Sequence, residues 1–190
     1  MRSFILILSV WLLSGAVALA QAGTASSSTE APEWSHTSFR MQFTGNAVKL
    51  DNLGQVFEGE ALFTNYPEKK GNVAFSCLTS TLTANIGLVP VDFEAYFREF
   101  PRSRRGKVKL PYLYINGEKV KSGQWIYAPN LKIYMPRKKH VVGKLYNAAI
   151  RGDSVTLSTN DKDHIPLILP KPNANFANFG AGCGIGKHAA

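Results

Sequence analysis

Apolar and polar residues alternate along most of this chain, with the two-residue period of strands half-buried against a core. In residues 38–44, Phe39, Met41 and Phe43 share one face. Segments 55–64, 73–83, 124–127, 131–135, 154–159 and 165–169 extend the strand pattern. Residues 110–115 and 118–121 flank Asn116-Gly117, a pair that readily takes the positive φ angles of a tight turn, so the two are expected to be arms of a hairpin. Three segments change to the helical period. In 92–100, Phe93, Tyr96, Phe97 and Phe100 fall on one stripe, with Asp92 placed to cap it. In 137–150, Val141, Val142, Leu145, Ala148 and Ala149 form another stripe, and Gly152 is placed to end it. Near the C-terminus Phe176, Phe179 and Cys183 share a helical face among several glycines. The pattern predicts an α+β fold, mostly antiparallel β in a sandwich or open barrel, with two or three short helices.

The first twenty residues depart from this alternation. Arg2 precedes an unbroken apolar run, and Ala18-Leu19-Ala20 has the small-x-small ending of a secretory signal peptide. Cleavage near Ala20 is expected, giving a periplasmic or secreted product with no later membrane-spanning stretch. Residues 21–33 read as a flexible Ser/Thr/Ala-rich leader, and 34–190 as a single globular domain. The absence of any Asn-x-Ser/Thr acceptor fits a bacterial origin.

Export gives the two cysteines a meaning. Cys77 and Cys183, far apart in a chain bound for an oxidising compartment, are expected to form one disulfide that ties down the glycine-rich tail. Two cysteines are too few for a zinc site that needs three or four thiolates. The histidines lack ligand spacing, so no metal and no cofactor is expected.

Charge changes the picture further. The chain carries 22 Lys+Arg against 13 Asp+Glu, a formal net charge of +9. The excess is confined to two segments. Residues 98–109 hold Arg98, Arg102, Arg104, Arg105, Lys107 and Lys109 against the single acid Glu99. Residues 132–144 hold Lys132, Arg137, Lys138, Lys139 and Lys144 with no acid, and the rest of the chain past residue 20 is slightly acidic. Cations in the first turn of a helix oppose its macrodipole, so the Arg-Lys-Lys run at 137–139 is locally unfavourable and suggests use. The first six residues together with Arg137, Lys138, Lys139 and Lys144 are therefore the candidate contacts for an anionic partner. That partner would be an acidic protein or an envelope component such as a lipid head group, lipopolysaccharide or cell-wall polymer. Nucleic acid is disfavoured by export and by the lack of a recognition motif.

Two short motifs suggest other chemistry. Gly152-Asp153-Ser154-Val155 resembles the Gly-Asp-Ser block of a lipase/esterase family, and 161–164 supplies an Asp-x-x-His spacing. The resemblance implies a hydrolase with Ser154 as nucleophile and Asp161 and His164 as partners. That family separates the two blocks by most of a doubly wound domain, whereas here they nearly adjoin, so catalysis by these residues is the alternative reading. Arg151-Gly152-Asp153 spells an adhesion tripeptide, but it lies between a predicted helix and a predicted strand instead of on a loop tip. A third reading makes the chain a structural or scaffold subunit that meets a neighbour through an edge strand, with its charge incidental.

Overall fold

The computed structural model describes residues 31–42, 55–78, 80–99, 106–160 and 162–185. The proposed signal peptide and most of the leader lie outside these residues, as do Phe43, Phe100, Arg102, Arg104, Arg105 and Asp161. The alternating segments become β1 (Trp34–Gln42), β2 (Val56–Thr64), β3 (Asn72–Leu78), β4 (Thr81–Gly87), β5 (Lys107–Lys109), β6 (Tyr112–Ile115), β7 (Glu118–Val120), β8 (Trp125–Ala128), β9 (Ile133–Pro136), β10 (Val155–Ser158) and β11 (His164–Pro166). The helical stripes become α1 (Phe93–Glu99), α2 (Lys139–Arg151) and α3 (Ala174–Gly182).

Local chemistry accounts for most boundaries. The Asp92 carboxylate accepts from the Ala95 amide at 3.0 Å and starts α1. Gly152 ends α2 in the left-handed conformation, φ +71°. The Asn173 side chain accepts from the Phe176 amide at the start of α3. Asn116 and Gly117 take φ +51° and +81°, which closes the β6–β7 hairpin. Two expectations need correction. The single strand read over 73–83 is a hairpin of β3 and β4, reversing next to Ser80 at φ +65°. No Gly, Pro or Asn marks that turn, so the β-branched alternation runs through it unbroken. Strand β5 is outside the predicted strands, because its three residues lie inside a basic run.

The strands pair antiparallel throughout and form two open sheets, one in the order β1-β2-β3-β4-β9-β8-β5 and one in the order β11-β10-β6-β7. The larger sheet is covered on both faces, which is why the second half of β2 and most of β3 are buried in unbroken runs. Alternate residues of β1 supply the two sides. Trp34 joins a core with Phe75, Tyr146 of α2 and Phe176 and Phe179 of α3, and the smaller sheet adds Leu113, Val155 and Leu157 to it. Phe39 joins the opposite face, where Phe63 meets Phe93 and Phe97 of α1. Tyr146 stacks on Phe176 with ring centroids 4.9 Å apart and meets Phe75 edge-on at 5.3 Å. Cys77 on β3 and Cys183 at the end of α3 form the expected disulfide, with Cα atoms 5.9 Å apart.

Candidate anion-binding corner

The chain from β5 to β8 is one long hairpin that changes sheets. Its outer arms, β5 and β8, pair in the larger sheet, and its inner arms, β6 and β7, pair in the smaller one. Between the pairs Lys109↔Trp125 and Leu113↔Val120, one arm has three residues and the other has four. The extra residue acts as a bulge, the usual device for turning a strand from one sheet into another. Gly123 takes φ +67° there, and the buried Ser122 hydroxyl donates to the Pro111 carbonyl across the bend at 3.0 Å.

This corner joins the two basic segments. Strand β8 lies between β5 and β9, with Trp125 opposite Lys109 on one side and Pro136 on the other. Lys109 and Pro136 are thus two strand spacings apart, about 10 Å, and Arg137, Lys138 and Lys139 follow directly. Arg137 is fixed to the ribbon by its amide on the Gln124 carbonyl at 3.2 Å and by its guanidinium on the Gln124 side chain at 2.9 Å. Lys138 lies across Gly123, where a Cβ would stand 3.1 Å from the lysine Cε. The same bend brings in Lys119 and Lys121. The Lys119 ammonium sits 3.6 Å from the centroid of the Tyr112 ring, a cation–π contact. Leu110, Tyr112, Lys119, Lys121 and Gly123 border a groove of about 420 Å³.

The lysines of the corner differ from the arginines elsewhere in how they are neutralised, although Lys69, Lys132, Lys144 and Lys171 outside it also have no ion pair among the described residues. Arg40 pairs with Glu58 at 2.8 Å, Arg98 with Glu94 at 2.6 Å, and Arg151 with Asp153. Lys107, Lys109, Lys121, Lys138 and Lys139 have no ion pair among the described residues. Of the candidate contacts, then, Lys109, Arg137, Lys138 and Lys139 lie at the bend, and Lys107 stands two residues further along β5. Arg98 is held on α1, which packs on the opposite face of the larger sheet from α2. Lys144 borders a separate cavity at the hairpin tip with Asn116, Glu118 and Arg151. Lys119, Lys121 and Gly123 were not singled out from sequence. The Asn-Gly turn held the signal, since counting forward from it places Lys119 and Lys121 beside the first arm.

The residues of the hydrolase motif are placed differently. The Ser154 amide and hydroxyl both point to the Asn116 side-chain oxygen, at 3.0 and 3.4 Å. His164 stands opposite Ser158, with its ring 4.8 Å from that of Tyr114. Four residues along the ladder separate it from Ser154, roughly 13 Å. Asp153 is engaged by Asn116 and by Arg151, so the adhesion tripeptide is bonded to itself and to the hairpin. A second polar cluster joins β1 to β2: Glu60 accepts from the Ser38 hydroxyl and lies 2.8 Å from the His36 ring nitrogen. The acid stands between serine and histidine there, which is not the order of a proton relay. Among the described residues no group of three or more His, Cys, Asp or Glu could hold a metal, and no helix is long and apolar enough to cross a membrane.

Fold and site together define a disulfide-tied α+β protein of two antiparallel sheets, with a cationic bend where a hairpin passes between them. No protein-family model matches the chain, and neither a curated protein nor a solved structure does.

Proposed function

We propose that this chain is an exported, non-catalytic envelope protein of bacterial type that binds an anionic partner at the corner between its sheets. One observation carries the reading: Lys107 and Lys109 at the end of one basic segment and the 137–139 run of the other flank β8, and Lys107, Lys109, Lys138 and Lys139 have no ion pair among the described residues. Like charges repel at this spacing, so gathering them costs stability unless something is gained from the field they produce. The disulfide supports export, because such bonds persist in oxidising compartments, and the signal-like N-terminus supports it from sequence.

Charge reversal tests the site. The double variant Lys109→Glu/Lys138→Glu should lose at least about tenfold in affinity for a sulfated or phosphorylated resin, with wild-type binding falling steeply as salt rises. Arg98→Glu/Lys144→Glu changes the same net charge away from the corner and should retain binding within about twofold. Equal losses in the two variants would reduce the corner to general surface charge.

A further inference from the structure

Strand β5 ends the larger sheet, and among the described residues it has a neighbour only on the β8 side. All three of its residues are exposed. Its outer edge therefore offers backbone donors and acceptors of the kind to which another extended chain can add. The two faces at this edge differ chemically. Lys107 and Lys109 stand opposite Tyr127 and Trp125, on the face that α2 covers further along the sheet. Val108 stands opposite Ile126 on the other face and is 52% exposed. Beyond the strand, Leu110 is 67% exposed at the mouth of the corner groove.

Resting on the anionic-partner reading, we infer that the partner is an extended acidic segment of another polypeptide, which adds to β5 as a further strand. Its side chains alternate. Acidic residues face Lys107 and Lys109, with the 137–139 run adding to the field from beyond β8, and apolar residues cover Val108, with one end of the segment reaching the groove beside Leu110 and Tyr112. A second copy of this chain is a poor occupant, because two β5 edges would set lysines against lysines. A lipid head group would use the cations but leave the edge amides and Val108 without a role.

The test uses the purified, disulfide-intact chain and three probes. One is a synthetic peptide of about eight residues alternating Glu with Val. The second is the same peptide N-methylated at alternate amides, which keeps charge and side chains but blocks the ladder. The third is a phosphatidylserine vesicle. Affinity is measured by titration, and amide exchange of residues 106–110 is followed in the peptide complex.

The expected result is binding of the plain peptide, at least about tenfold weaker binding of the N-methylated one, and slowed exchange within β5. Equal binding of both peptides would overturn strand addition while leaving a salt-dependent anion site. Binding of the vesicle but of neither peptide would overturn it in favour of a membrane surface. Failure of all three probes to bind would sink this inference and the anionic-partner reading together.

Discussion

Asp153 shows how much one side chain can connect. It accepts from Asn116 of the hairpin tip at 3.1 Å and from Arg151 at the end of α2 at 2.9 Å. These contacts, the Asn116 bond first and Arg151 after it, hold its carboxyl below the ordinary value of 3.8. A carboxylate depressed in the folded state adds stability above its unfolded value and loses it as pH falls through the folded one. The stability difference between wild type and Asp153→Asn should therefore be constant near neutrality and shrink below about pH 4. Urea midpoints at several pH values check this, and a difference that persists unchanged at pH 2 would be inconsistent with it. Gly123 is the counterpart at the corner, since its missing side chain leaves the space that Lys138 crosses.

Among the elements, α2 presents the clearest conflict between local stability and proposed use. Its N-cap is Lys138, which has extended backbone angles but makes no side-chain cap, and its first turn holds no acid. Aspartate at a position of this geometry would accept from the free amides and complement the helix dipole. Lys138→Asp should raise stability by about 1 kcal/mol while weakening attachment to an anionic resin. A gain in stability with full retention of binding would show that Lys138 is dispensable at the site. The elements also show how far sequence reasoning reached. Asp92, Gly152 and Asn116-Gly117 mark ends and turns through bonds made within a few residues, and those predictions match. The β3–β4 reversal at Ser80 and the three-residue β5 lack such markers. Both are imposed by pairing with distant strands, the first where Ile86 of β4 meets Tyr134 of β9 and the second where Val108 of β5 meets Ile126 of β8.

For the molecule as a whole, the disulfide is the covalent long-range constraint. It joins residues separated by 106 positions and anchors the end of α3 against β3. Removing the cross-link with Cys77→Ala/Cys183→Ala should cost about 4 kcal/mol, chiefly by freeing the unfolded chain. The urea midpoint measures the loss, and the amides of α3 should be the first to exchange. A midpoint unchanged by both the variant and a reductant would mean that packing of Phe176 and Phe179 suffices.

What the chain's own residues settled is local: the strand and helix periods, the caps, the Asn-Gly turn, the two separate concentrations of positive charge and the pairing of its only cysteines. Each depends on neighbours a few positions away, or, for the cysteines, on there being one possible partner. The meeting of the two basic segments at one corner was decided by tertiary structure. It depends on β8 lying between β5 and β9 and on one extra residue at Gly123, because strand order is set by which faces bury together rather than by spacing along the chain.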